Sequence, residues 1–348
     1  MMKAIINVKD TYVRNKISSL TFMLSIAIVI YHSDCKRAMH YISMDMLYYL
    51  TEFCSAVLNF AVPCFFLISS FLFYRNFTLY KYKKKVYSRF FSLCIPYVFW
   101  NFFYCLIFVS LSSIPFLYGK FNSVVMLSPL KNLYGILNSD FTPLWFVKDL
   151  IIYVLISPII YVLIKRKIFG IISLVVLIVL NLLFEFDYKS ILYWAPIYLG
   201  GAFMGVHFSD KIFHIKFCYS IYISLAFVFF IGIFGLMILT FKDNRCLIYF
   251  YRLISPLIIW LLFDAINKKN HTTNRNIYKL SFFIYANHFF WLTGIQKVVG
   301  YVFHSQFVIL FINYFVVPIF VLVFLYCIAF ILKRRASSLY YIINGGRG

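Results

Sequence analysis

Few residues in this sequence can do chemistry, and they stand out because their surroundings are apolar. The first is His32, near the far end of the run ISSLTFMLSIAIVIYHS over residues 17–33. Leu20, Phe22, Leu24, Ile26, Ile28 and Ile30 can face lipid at little cost, whereas an imidazole cannot. Two readings are open for it: a polar tip capping a helix at the water interface, or a buried group that moves a proton. The second is His288 in YKLSFFIYANHFFWLTGIQK, residues 278–297, with Asn287 beside it as a candidate partner. At 1.5 Å per residue, His32 lies roughly 22 Å up its own helix and His288 about 12 Å into its own. The two would then occupy opposite halves of a bilayer. Histidine is the side chain best suited to general acid–base work near neutral pH.

Other polar residues interrupt apolar runs. Pro63 precedes Ser69 and Ser70 in VPCFFLISSFLF, residues 62–73, and the proline predicts a kink. The hydroxyls allow close helix packing, bonded to the preceding turn, or a contact to substrate. Arg89 ends the basic half of YKYKKKVYSRFFSLCIPYVFWN, residues 80–101. Such a cluster anchors anionic lipid or holds the phosphates of an anionic cosubstrate, Arg89 being suited to bidentate contact. In TPLWFVKDLI, residues 142–151, Trp145 suits an interfacial belt and Lys148 can snorkel. Lys148 and Asp149 are nevertheless expensive on a membrane helix. With His32, Glu52 and Arg252 they predict charge gathered in one half of a bundle.

The elements that must position these residues are membrane helices. Of 348 residues 63% are hydrophobic and 13% charged, and mean hydropathy is +0.87, outside the range of soluble domains. The formal charge of +22 sits in short clusters between apolar runs, which fits the cytoplasmic face of a membrane and not nucleic acid. The eight cysteines are scattered without a C-x-x-C pair and suggest no metal site, and a Cys35–Cys54 disulfide is conceivable. With about 20 residues per crossing, spans are expected near 17–34, 53–74, 91–114, 143–164, 168–185, 190–208, 217–240, 246–266, 280–301 and 307–332. The expected fold class is all-α, a polytopic bundle of about ten spans. Residues 1–16 form an N-terminal segment, 17–332 the membrane domain and 333–348 a tail.

Loop charge orients the bundle. Arg75, Lys81, Lys83–Lys85 and Arg89 fall in one set of loops, as do Lys165–Lys167, Lys211, Lys216, Lys268, Lys269, Arg275 and Lys279, with Lys333–Arg335 after the last span. The alternate loops hold Lys36, Arg37, Lys120, Lys131, Lys189, Lys242 and Arg245 among Asp34, Asp45, Glu52, Asp140, Glu185, Asp187 and Asp243. The positive-inside rule puts both termini in the cytoplasm.

The ordered succession of VIYHS, PCFFLISSF, a basic loop, IPYVFW, PLWF, YLGGAFMG (198–205) and LSFFIYANH resembles the acyltransferase-3 family. Its members are integral-membrane bacterial enzymes that O-acylate sugars of surface polysaccharides and related glycans. The resemblance runs from residue 14 to about 290. It implies that His32 matches the essential first-helix histidine, Ser69 the FFxxSG serine and Arg89 the basic residue before the PY step. It matches Trp145 to the tryptophan of the WF pair and His288 to the late YxxH histidine. Two positions depart from the pattern: Thr21 stands where an arginine precedes the histidine by eleven, with Arg14 and Lys16 nearby, and Ser70 replaces the glycine.

The expected chemistry is transfer of an acyl group, acetyl above all, from acyl-CoA to a sugar hydroxyl of a surface polysaccharide or lipid-linked precursor. His32 would be the base, with Lys148 and His288 positioning or polarising the reacting groups. Expected partners are acyl-CoA, the glycan and membrane lipid, in the bacterial inner membrane, with acetyl-CoA as donor and no resident cofactor or metal. The competing class is a transporter or polymerase of lipid-linked glycans. A polymerase favours a large outer loop and a transporter inverted repeats. The longest outer loop is modest and no repeat is evident.

Overall fold

The computed structural model describes residues 2–36, 45–114, 129–209, 220–241, 244–266 and 276–347. Arg37, Lys120, Lys211, Lys216, Lys242, Asp243, Lys268, Lys269 and Arg275 of the loop argument lie outside the described residues. Within them every regular element is a helix.

Helix α1 spans Met2–His32. Helix α2, Met46–Leu58, begins at Asp45, whose side chain accepts the Tyr48 backbone N–H at 2.8 Å. Helix α3, Ala61–Tyr74, continues it after a break at Asn59–Phe60. Pro63 causes that break, since it has no N–H for the Asn59 carbonyl and its ring crowds that oxygen. Helix α4, Tyr82–Arg89, passes through a π-turn at Phe90–Cys94 into α5, Ile95–Ser112. Pro96 in the first turn of α5 cannot bond the Ser92 carbonyl in the α-helical way.

Helix α6 covers Pro129–Asn138. The segment expected as one span over 143–164 is instead two helices, α7 (Trp145–Leu155) and α8 (Ser157–Ile164), bent by 68°. Pro158 stands at the start of α8, and side chains occupy the carbonyls around the break. Tyr74 donates its hydroxyl to the Ser157 carbonyl at 3.1 Å and Tyr82 to that of Leu155 at 3.0 Å. Unpaired backbone groups are costly at membrane depth, so a broken helix needs such partners.

Helices α9 (Lys167–Phe184), α10 (Ile191–His207), α11 (Ser220–Thr240) and α12 (Arg245–Ile266) follow. A 3-10 turn at Asn276–Leu280 then leads into α13, Ser281–Val302. Helix α14, Gln306–Phe311, a π-turn at Ile312–Val316 and α15, Val317–Arg335, form one long apolar rod. Helix α16, Ser337–Ile343, turns back onto the bundle.

Helix α3 is the centre of the bundle, buried along most of its length, with α10 lying closest to it. In lipid no hydrophobic force pulls helices together, so close approach relies on small residues. A Cβ on Gly201 would lie 2.4 Å from the Leu67 carbonyl oxygen, and one on Gly205 2.7 Å from that of Phe71. Ser70, bonded to the Leu67 carbonyl at 3.0 Å, belongs to this packing seam.

Six helices or helix runs are long and apolar enough to cross a membrane, seven if the bent α7–α8 pair is one crossing. The all-helical bundle is as expected, while among the described residues the helices that are long and apolar enough number fewer than the ten read from sequence. Helix α10 has 17 residues, and α13 carries Asn287, His288, Gln296 and Lys297, which dilute its hydropathy. Cys35 and Cys54 are both free.

Candidate active site

Helices α1 and α13 run parallel and in register. The Phe22 and Tyr278 rings are 5.7 Å apart, and Ser25 donates to the Ser281 carbonyl at 3.0 Å across 256 residues. The same offset brings His32 to His288, with ring centroids 5.3 Å apart. The expectation of opposite bilayer halves is therefore corrected: the two rings share one level. The ruler was laid from each helix's own start, but α13 starts deep in the bundle, its Ser281 level with Ser25.

His288 is fully buried. Its Nδ1 lies 2.8 Å from the Tyr285 carbonyl oxygen. A carbonyl can only accept, so Nδ1 carries the proton and Nε2 of the neutral ring presents a lone pair. That Nε2 has no hydrogen-bond partner among the described residues. Asn287 is not the partner expected from its position. Its Oδ1 accepts the Tyr104 hydroxyl at 2.7 Å, and its Nδ2 donates to the Phe283 carbonyl at 2.8 Å.

Cavities approach this level from both ends of the bundle. One, of about 270 Å³, is lined by His32, Tyr31, Asn59, Pro143, Trp145, Trp194, Arg252 and Tyr285 among others. The Pro63 break forms part of its wall through Leu58, Asn59, Ala61 and Val62. Arg252 is held there by Asn59 Oδ1 and the Tyr193 hydroxyl, each at 2.8 Å. A third cavity, of about 330 Å³, adjoins it at Tyr188 and Arg252 and is edged by Glu185, Asp187 and Arg245. Trp145 packs against Trp194 at 5.8 Å and Tyr188 at 6.3 Å, so this end offers flat aromatic faces beside polar groups.

The opposite cavity, of about 320 Å³, is lined by Ser69, Arg89, Thr21, Lys279 and Arg347, and again by Tyr285. Tyr285 thus faces both cavities, fixed by its hydroxyl on the Pro143 carbonyl at 2.6 Å. With Phe65 and Phe146, at 5.8–6.1 Å from one another, it forms an aromatic septum between them.

Of the residues singled out from sequence, His32 and Trp145 border the first cavity, Ser69 and Arg89 the opposite one, and His288 lies behind His32. Lys148 lines neither: its Nζ donates to Asn138 Oδ1 at 2.9 Å, on the α6 side. Asp149 is buried and lines neither cavity. Glu52 is 3.2 Å from Lys36 Nζ, which also meets Asp34 at 3.0 Å and Thr51 Oγ1 at 2.6 Å. That cluster ties the end of α1 to α2, so the expected gathering of charge resolves to Arg252 beside His32.

Arg14 is exposed, and Lys16 points to the Trp260 carbonyl at 3.0 Å. Neither enters the cavity that Thr21 lines. Lys85 is spent on the Phe73 and Arg75 carbonyls, and Lys84 is exposed. Sequence reading missed Tyr285 and Arg347. The signal for Arg347 was the Asn344–Gly345–Gly346 turn before it.

A polytopic helical bundle with cavities from both ends meeting beside paired histidines is the architecture of a membrane protein that brings two reactants together. Residues 18–334 match the family model described as an acyltransferase domain. The chain belongs to that family, acyltransferase-3, and is a multi-pass membrane acyltransferase. Comparison with curated proteins and with solved structures returned no match.

Proposed function

We propose that the protein is a membrane O-acyltransferase that moves an acetyl group from acetyl-CoA to a sugar hydroxyl of a surface polysaccharide or its lipid-linked precursor. The observation that carries this reading is the meeting of two chemically different cavities at the Tyr285 septum, beside His32 and His288. The cavity of Arg89, Lys279 and Arg347 suits an anionic donor. The one with Trp145, Trp194 and Arg252 suits a sugar, whose apolar ring face stacks on indole while its hydroxyls meet polar groups. With the basic loops in the cytoplasm, donor and acceptor enter from opposite sides of the bacterial inner membrane.

In the reaction, His32 accepts the proton of the sugar hydroxyl as its oxygen attacks the thioester carbonyl carbon. The carbon–sulfur bond breaks, the ester forms, and the CoA thiolate takes the proton back from the imidazolium. His288 stands behind His32 as a positioning residue, its ring 5.3 Å from that of His32.

The test is the O-acetyl signal in the NMR spectrum of purified surface polysaccharide. It is expected to vanish from cells lacking the protein and return with the wild-type chain; an unchanged signal overturns the reading. The donor side makes a sharper prediction. Arg89→Ala raises KM for acetyl-CoA by about 10- to 100-fold, the loss of a charge-assisted contact. Lys84→Ala leaves it unchanged, because that side chain stays outside the cavity. Equal effects of the two would reduce the basic stretch to a lipid anchor.

A further inference from the structure

Helix α16 is too short and too polar at its end to be a further span, yet it is held firmly to the bundle. Tyr340 and Ile343 are buried, and Trp100 donates its indole N–H to the Ile343 carbonyl at 3.0 Å. Asn344 is fully buried and donates to the Lys279 carbonyl at 3.1 Å. The chain then reverses through Gly345 and Gly346, with φ of +64° and +79°, values glycine adopts without strain. A Cβ on Gly345 would lie 2.5 Å from the Ser92 carbonyl oxygen, the one that Pro96 leaves without an α-helical donor. The approach is that close.

The reversal carries Arg347 into the cavity of Arg89 and Lys279. Its guanidinium lies over the Phe282 ring at 4.9 Å and donates to the Asn344 carbonyl at 3.1 Å. The Arg89 guanidinium makes no hydrogen bond or ion pair among the described residues, and no carboxylate among them lines this cavity. Burial, and then the charge of Arg89, bring the Arg347 guanidinium down to about 10, so it stays cationic at neutral pH. Two guanidinia held near each other without a counter-charge repel, and a bound anion removes that cost.

We infer that the turn Asn344–Arg347 is a built part of the donor site, in which Arg347 and Arg89 together grip a phosphate or pyrophosphate group. This rests on the reading that the cavity receives a phosphorylated donor, and it adds the tail as the element that completes the grip. The tail is tied to α5 through Trp100 and to the 3-10 turn through Lys279, where the Arg347 guanidinium can hold the phosphates while the acyl arm reaches the septum.

The experiment is calorimetric titration of the detergent-purified full chain with two probes, CoA and inorganic pyrophosphate. Wild type is expected to bind both. Arg347→Ala is expected to weaken both by about 10- to 100-fold, and Arg347→Lys to restore part of the loss. Gly345→Ala keeps every cation but displaces the turn, so it should weaken both probes with the thermal midpoint of the bundle retained. If Arg347→Ala and Gly345→Ala bind CoA as wild type does, the tail inference is overturned and the donor reading stands. If pyrophosphate binds in an Arg347-dependent way and CoA does not bind, the anion site stands and the donor reading falls.

Discussion

His32→Gln leaves the protein at normal abundance in the membrane and lowers glycan acylation by about 10²- to 10⁴-fold, the usual cost of losing a positioned base. Glutamine keeps the size and polarity of the side chain, so the cavity wall of Tyr31, Asn59 and Trp145 is retained. What it cannot do is take a proton. The prediction separates the two readings of His32, since an interfacial cap tolerates glutamine whereas a base does not. The half-buried ring borders the aromatic cavity and lies 5.3 Å from that of His288, a setting beyond what capping requires. The readout is the acetyl signal of purified polysaccharide at matched expression. Full acetylation in His32→Gln would place the base elsewhere.

Gly201→Ala and Gly200→Ala, one position apart on α10, are expected to differ sharply. At Gly201 the added methyl would sit 2.1 Å from Ser70 Oγ, 2.4 Å from the Leu67 carbonyl oxygen and 3.0 Å from the Leu67 Cα. Two of those atoms are backbone, so rotamer changes cannot relieve the clash and α3 must move from α10. Overpacking of this kind costs roughly 1–3 kcal/mol, and here it also shifts Ser69 and the cavity wall on α3. At Gly200 the nearest atom is Leu174 Cδ2 at 3.9 Å, an ordinary contact. Gly201→Ala should therefore lower the melting temperature in detergent and the acylation rate, and Gly200→Ala neither. Equal midpoints would mean that the α3–α10 seam is looser than its geometry.

The sequence by itself determined the class of protein. An apolar background with basic clusters between runs has one physical home, and histidines in such runs mark themselves because lipid repels them. Pro63 announced the break at Asn59–Phe60 that precedes α3, whereas the break at Pro158 falls inside what hydropathy reads as one span. The ordered motifs pointed to the family that residues 18–334 match. Hydropathy was less able to count crossings, because α13 carries Asn287 and Gln296, which bond Tyr104 and the Ser33 carbonyl on other segments and lower its apolar content.

Only the tertiary structure decided the register between helices and the partners of polar groups. Apolar faces in lipid do not say which helix covers them or at what height. Nothing local in α1 or α13 therefore shows that His32 and His288 stand together, or that Asn287 serves Tyr104 and Lys148 serves Asn138. Arg347 is the extreme case. Its place beside Arg89 depends on two glycines with positive φ, a close approach to the Ser92 carbonyl and a buried Asn344, contacts that join segments far apart in the chain.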